Sequence, residues 1–195
     1  MSRAGSIRPL TRLDFPTLAR WRRDRQMIAW WGPPVDETQL EHDHGNTIDE
    51  RWSDEDAPAR LWIYEVGGVP IGFGESYLID HHTEYAERLA TSNAIGVDYA
   101  IGEPAERGRG HGRRLVTLLI SAGFAEHCTA DKAVVVPKAA NAASRATCES
   151  AGLHLVEQRP LQDEYPRGGD SAIYALSRVR FETQARLSSR SADRA

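Results

Sequence analysis

The residues with the clearest chemical potential form a glycine- and arginine-rich segment, Arg107-Gly-Arg-Gly-His-Gly112, between a predicted strand and a predicted helix. Glycines at such a junction leave backbone N–H groups unobstructed, and a helix N-terminus carries about half a positive charge. The segment is therefore predicted to hold phosphate groups. It is not a Walker loop, because no Gly-Lys-Ser/Thr follows, and Arg113 stands where a dinucleotide loop needs its third glycine. A tight, charged surface turn is the alternative.

Two carboxylates, Asp98 and Glu75, stand in predicted strands. Asp98 belongs to the strand at 94–101, where the apolar residues alternate and leave Asp98 on the opposite face. Glu75 lies in the neighbouring strand, and Gly72 and Gly74 leave space beside it. A carboxylate in this setting can anchor an amine or accept its proton. A solvated strand charge is the alternative for both residues.

The elements that position these residues follow from hydrophobic periodicity and turn signals. Two apolar runs divided by Gly67-Gly68 predict a β-hairpin. The residues 30–34 break regular structure, 52–59 are turn-like, and 80–92 form a loop or a short helix. The other predicted elements are strands at 7–10, 61–66, 69–78, 94–101, 133–136, 153–158 and 172–176 and helices at 15–23, 36–50, 113–124 and 139–150. One domain is expected over 6–180, with a disordered tail over 183–195.

The net charge of −4 conceals an asymmetry along the chain. Residues 1–25 carry a balance of +5, whereas residues 36–102 carry fifteen carboxylates against three arginines. This sign disfavours a nucleic-acid partner, because Lys and Arg supply most of the affinity for phosphates. The absence of a long apolar run predicts no membrane span and a cytoplasmic protein. Cys128 and Cys148 are interpreted as free thiols, and the histidines lack an ordered metal-ligand spacing, so no metal is expected.

Two segments carry a resemblance to a known family. Arg107-x-x-Gly110-x-Gly112 is similar to the acetyl-CoA pyrophosphate loop (Q/R-x-x-G-x-G/A) of the GCN5-related N-acetyltransferases (GNAT). The segment 141–153 resembles that family's second signature, N-x-x-A/S-x-x-x-Y-E-x-x-G-F. The resemblance implies an α/β (α+β) fold in which a mixed central sheet, flanked by helices, binds acetyl-CoA at a splayed parallel strand pair. It implies cofactor contacts from Val97, Tyr99, Arg107, Gly108, Arg109, Gly110, His111, Gly112, Arg113, Asn141 and Ser144.

Within that family, the chain resembles the aminoglycoside 6'-N-acetyltransferases. The likeness rests on Trp30-Trp31-Gly32, on the segment 70–77, and on Gly96-Val97-Asp98. It implies direct acetylation of a cationic small molecule, with the 6'-amine of an aminoglycoside as the expected acceptor and with Asp98 and Glu75 as catalytic residues. The acceptor is expected to contact Trp30, Trp31, Asp36, Glu37, Glu75 and Asp98.

Several alternatives remain at this level. The acceptor could instead be a siderophore precursor, a lysine or a protein N-terminal amine, and a non-catalytic acyl-CoA sensor is a third possibility. The oligomeric state is expected to be monomer or homodimer. Cys148 departs from the family signature, which commonly has a tyrosine there as general acid to the thiolate. Tyr99, Tyr165 or water are the candidate replacements. Asn141 is either a cofactor contact or a helix cap.

Overall fold

A seven-stranded mixed sheet forms the centre of the computed structural model, which describes residues 5–49, 59–161 and 169–192. The strand order is β1-β2-β3-β4-β5-β7-β6, and β4–β5 is the parallel pair. The strands are β1 Gly5–Pro9, β2 Arg60–Val66, β3 Val69–Leu78, β4 Ala94–Ala100, β5 Lys132–Val135, β6 His154–Pro160 and β7 Asp170–Ser177. The helices are α1 Phe15–Arg22, α2 Arg25–Trp31, α3 Glu37–Asp49, α4 Thr83–Leu89, α5 His111–Glu126, α6 Ala142–Ser150 and α7 Arg178–Ala192. The predicted fold class is confirmed.

The parallel pair β4–β5 separates partway along its length. Pairing extends from Ala94–Lys132 to Gly96–Val134 and ends there, while β4 continues to Ala100 against β3. Strand β5 ends one residue before Val136, and the Pro137 that follows has no N–H to donate to a ladder. The splayed strand pair expected from the resemblance is therefore present, and it opens beside Asp98.

Each face of the sheet is buried by a different set of helices. The apolar stripe of α5, which includes Leu115, Leu119 and Ile120, is fully buried and packs with Val97 on one face. On the other face, α1 and α3 pack with Ile63 and Phe73 of the hairpin β2–β3. The alternation along β4 thus sends Val97 into the core below α5, and its neighbour Asp98 to the opposite face.

The structure differs from the sequence predictions at two helices. Helix α2 was not predicted, since its seven residues precede Gly32-Pro-Pro; the Asp24 side chain caps it by accepting from the Gln26 N–H at 3.1 Å. Where the sequence predicted a disordered tail from 183, the structure continues α7 through 183–192. Phe181 anchors that helix on Phe124 with ring centroids 5.6 Å apart. Residues 193–195 and the predicted turn at 52–58 lie outside the described residues. Within the part of the chain that the structure describes, no helix is long and apolar enough to cross a membrane.

Candidate active site

A cavity of about 500 Å³ lies where β4 and β5 separate. Asp98 and Tyr99 of β4 line one side, and Val135 and Val136 line the side of β5. The cavity also contains four of the residues predicted to bind the acceptor, which are Trp30, Trp31, Glu75 and Asp98. The separation of the two strands therefore creates a space that the predicted catalytic carboxylates face.

Glu75 and Asp98 are direct cross-strand partners in the antiparallel pair β3–β4. The Tyr77 hydroxyl, two residues along the same face, donates to the Asp98 carboxylate at 2.9 Å. Tyr77 can reach it because Gly96 lies opposite, and a side chain at position 96 would collide with the Tyr77 ring. The register thus assembles two carboxyl groups and a phenol at the base of the cavity.

Burial gives the two carboxyl groups unequal properties. The pKa of Glu75 is raised from 4.5 to about 8, first by desolvation and then by the negative charge of Asp98. Burial likewise raises the pKa of Tyr77, so its phenol stays protonated and able to donate. The pair therefore provides a neutral carboxyl group beside one that accepts a hydrogen bond, which is an arrangement suited to receiving a proton.

Replacing Glu75 with glutamine should remove a pH-dependent loss of stability. Below pH 4.5 the carboxyl group is protonated in the folded and unfolded states alike, but between 4.5 and about 8 the folded protein retains a proton that the unfolded chain has released. The free energy of unfolding should therefore fall as the pH rises through this window, by at most about 1.4 kcal/mol per pH unit.

Denaturant unfolding across that pH range tests this expectation. The Glu75→Gln protein should show a flatter profile than the wild type, while Asp80→Asn, at an exposed position just after β3, should keep the wild-type slope. Identical profiles for wild type and Glu75→Gln would show that Glu75 ionises normally in the folded protein.

A second cavity, of about 570 Å³, lies in front of the glycine loop. Gly108, Gly110 and Gly112 line it together with Arg107 and Arg113. Gly110 is the residue before α5 and has a φ of +83°, so the loop turns directly into the helix N-terminus. The two cavities share Trp30, Trp31, Tyr99, Asn141 and Ser144 as lining residues. Both lead to the same junction at the splayed end of β4.

Arg107 contributes to the loop mainly by holding it in place. Its guanidinium donates to the Ile101 carbonyl at 2.9 Å and to the Gly102 carbonyl at 3.0 Å. It also forms an ion pair with Asp24, the cap of α2, at 2.7 Å. These bonds tie the glycine loop to the end of β4 and to the helix that carries Trp30.

The residues of the second cavity fit a polyphosphate carrier. The loop offers a helix N-terminus, glycines whose added Cβ atoms would meet nothing within 4 Å at positions 108 and 110, and the Arg113 side chain. Backbone N–H groups and an arginine donate hydrogen bonds to phosphate oxygens, and the positive end of the helix dipole favours their negative charge. The pyrophosphate of acetyl-CoA therefore matches this loop in charge.

Some predicted site residues have other partners. Val97 is 1% exposed within the core. His111 contacts the Tyr64 hydroxyl at 3.2 Å and Glu106 at 3.3 Å, and Arg109 is exposed beside Glu106. None of these three side chains lines either cavity.

The acidic start of α3 lies away from the cavity between β4 and β5. Asp36 and Glu37 are exposed, and the Asp36 carboxylate accepts from the Gln39 N–H at 2.9 Å, which caps the helix. Neither residue lines the cavity. The structure therefore gives no support to their predicted contact with the acceptor. Asp36 instead caps α3.

The cavity between β4 and β5 also includes residues that sequence reasoning did not select. Tyr77, Tyr85, Arg88 and Lys138 line it. For Tyr77 a signal was present, since strand alternation places it on the same face as Glu75. Tyr85, Arg88 and Lys138 lie on α4 or after β5, and their approach to the site depends on tertiary packing.

The structure shows whether Asn141 caps α6 and whether Cys148 is accessible for chemistry. The Asn141 side-chain oxygen accepts from the Ser144 N–H at 3.1 Å, so it caps the helix, and the residue also lines both cavities. Cys148 is 0% exposed and lines neither cavity, and burial raises the pKa of its thiol to about 12. A thiol in this environment is unreactive. Tyr165 lies outside the described residues.

Comparisons with known proteins agree with this architecture. A family model described as an acetyltransferase (GNAT) domain matches residues 11–161. The structure of aminoglycoside acetyltransferase AAC(6')-Ib with coenzyme A and kanamycin has a TM-score of 0.77 and 20% identity, covering 92% of this chain and 98% of that chain. Spermidine N-acetyltransferase from Vibrio cholerae, with CoA and spermine, has a TM-score of 0.69 and 16% identity, covering 91% and 97%. At these identities the structural likeness shows a common fold.

Proposed function

Since the chain belongs to the GNAT acetyltransferase family, whose members use acetyl-CoA, we propose that it acetylates an amino group of a cationic small molecule, with the 6'-amine of an aminoglycoside as acceptor. The observation that carries this proposal is the pair Glu75–Asp98 at the base of a cavity that meets the glycine-loop cavity. The fold shared with an enzyme described in complex with kanamycin supports the choice of acceptor.

In this proposal the glycine-loop cavity binds acetyl-CoA and the cavity between β4 and β5 binds the acceptor. Acetyl-CoA, when bound, supplies an acetyl group activated as a thioester. The loop amides at Gly108 and Gly110, together with Arg113, hold its pyrophosphate. The backbone of β4 beyond Gly96, which β5 leaves unpaired, receives the pantetheine arm, and N–H groups in 97–99 polarise the carbonyl to be attacked.

At the acceptor end, Asp98 binds the amine and takes its proton, while Tyr77 orients the Asp98 carboxylate. Glu75 stays neutral near pH 7, because its pKa is about 8, so it does not add a second charge that would hold the amine as ammonium. Trp30 and Trp31 offer flat aromatic faces against which a sugar ring can stack.

A lysine-type acceptor is the second candidate. Arg88 and Lys138 line the same cavity as Asp98. Two cations in one cavity suit an acceptor that has a carboxylate as well as an amine. An acceptor with ammonium groups only gains nothing from them.

A thiol-release assay with acetyl-CoA tests the proposal. The acceptor panel comprises kanamycin-type aminoglycosides, polyamines, lysine and N-hydroxylysine, and peptides with a free N-terminus. We expect CoA release with aminoglycosides that have a 6'-amine and none with those that have a 6'-hydroxyl. Greater turnover with lysine compounds would favour the second candidate, and CoA binding without turnover of any amine would identify an acyl-CoA sensor.

Cys148→Ala is expected to retain wild-type kcat within a few-fold. The thiol is fully buried and its pKa is raised, so it cannot act as a nucleophile that receives the acetyl group. Acetyl transfer then occurs directly between acetyl-CoA and amine in a ternary complex. Steady-state kinetics should show intersecting rather than parallel lines, and mass spectrometry that detected acetylated Cys148 on the reaction pathway would contradict this prediction.

A further inference from the structure

The junction of the two cavities needs a group that stabilises negative charge on the departing sulfur. Acetyl transfer breaks the C–S bond and leaves its electron pair on that atom, so a hydrogen-bond donor at the junction lowers the barrier. Five residues line both cavities, and two of them, Tyr99 and Ser144, have hydroxyl groups. Cys148, at the position where the family signature has a tyrosine, is fully buried and lines neither cavity.

Tyr99 and Ser144 are bonded to each other. Their hydroxyl oxygens are 2.8 Å apart, and the Tyr99 hydroxyl lies 3.2 Å from the Ser144 backbone carbonyl, to which it can donate. Tyr99 has a single hydrogen, so when it donates to the carbonyl it accepts the Ser144 hydroxyl proton. In this arrangement the Ser144 hydroxyl holds the Tyr99 oxygen in place, so rotation of the Tyr99 O–H is enough to redirect its single hydrogen from the carbonyl to a negatively charged sulfur at the junction, which is the stronger acceptor.

We propose that the Tyr99 hydroxyl, supported by Ser144, is the hydrogen-bond donor to the departing sulfur, which places on β4 the function that the family signature gives to a tyrosine on α6. This inference rests on the proposed function. It identifies the anion-stabilising group of the same site. A hydroxyl from β4 can take this position because Tyr99 contacts the part of α6 that contains Ser144 and Cys148.

The proton balance requires no transfer from Tyr99. Burial raises the pKa of Tyr99 far above that of a thiol, so Tyr99 keeps its proton and contributes a hydrogen bond only. The Asp98 carboxylate accepts the proton from the acceptor nitrogen as the new N–C bond forms. Water supplies the proton that the sulfur takes up when the product leaves.

Calorimetric binding of CoA and of desulfo-CoA, which lacks the sulfur, tests the inference without any acceptor. Above the thiol pKa the wild type should bind CoA about 10- to 150-fold more tightly than desulfo-CoA, since a hydrogen bond to a charged group contributes about 1.5–3 kcal/mol. Tyr99→Phe keeps the ring and should lose this preference. Tyr174→Phe is the matched control: its hydroxyl contacts Arg145 and Glu149 outside both cavities, so the preference should remain.

Two further readouts separate the possible outcomes. Tyr99→Phe should lower kcat about 10- to 100-fold with little change in the KM for acetyl-CoA, and Ser144→Ala should lower kcat less. An undiminished preference for CoA in Tyr99→Phe would overturn the inference while leaving the proposed function intact. A wild-type protein that bound neither ligand would overturn both.

Discussion

Asp98→Asn is expected to lower kcat for acetyl transfer by about 10² to 10⁴, which is the range that a positioned proton acceptor contributes. The amide has nearly the same shape as the carboxylate and can still accept from Tyr77, so the cavity keeps its form. The amide cannot take a proton from the amine, and it cannot balance the positive charge of the acceptor. The loss should therefore appear in kcat and in the KM for the acceptor.

Two controls make this prediction specific. The CoA dissociation constant of Asp98→Asn should match that of the wild type, since Asp98 does not line the glycine-loop cavity. Asp80→Asn makes the same chemical change at an exposed carboxylate outside the cavity and should leave kcat unchanged. If a folded Asp98→Asn protein retained near-normal kcat, Asp98 would be excluded as the base, and Glu75, its cross-strand partner, would be the next residue to test.

Gly110→Asp is expected to weaken CoA binding by about 100- to 1,000-fold. The substitution places a carboxylate beside the amides at the N-terminus of α5 that we propose bind the CoA phosphates, and like charges a few ångströms apart repel by about 4 kcal/mol at an effective dielectric constant near 20. An added Cβ at this position meets no atom within 4 Å, so steric conflict within the protein is absent. Calorimetry with CoA measures the change directly.

Gly68 provides a closely matched control for this substitution. It lies in the turn between β2 and β3 with a φ of +79°, against +83° for Gly110, and its Cβ would also meet nothing within 4 Å. Gly68→Asp therefore introduces the same strain, about 1–2 kcal/mol, and the same charge far from the loop. Both variants should lose similar stability, whereas Gly110→Asp alone should lose affinity. Equal affinity in the two variants would show that the loop does not hold the phosphates.

The parts of the fold that sequence reasoning predicted well are those set by neighbouring residues. The hairpin at Gly67-Gly68 and the helix after Gly112 carry their signals within a few residues, as periodicity, positive-φ glycines and turn chemistry. Helix α2 shows the opposite case. It is too short for a periodic pattern to identify, and it is held by the Asp24 cap and the Arg107 ion pair, whose partners are 83 residues apart.

The charge of the chain was a weaker guide to the acceptor site than its strand register. An acidic helix suggested Asp36 and Glu37, yet Asp36 caps α3 and neither residue lines the cavity. The carboxyl pair arises instead from the alignment of Glu75 with Asp98 across β3 and β4. A shift of one residue in that register would send one of the two to the other face.

Sequence by itself indicated the family and, through that resemblance, the fold class, and it selected the glycine loop and the candidate carboxylates, because their motifs depend on residue types at short, regular spacings. Tertiary structure alone decided which of these groups meet. It paired Glu75 with Asp98, brought Tyr77 to that pair across Gly96, and separated β4 from β5 to form the cavity. It also buried Cys148 and turned Tyr99 toward Ser144 at the junction. These contacts join residues 20 or more positions apart, and their energies depend on packing and desolvation that no local pattern encodes.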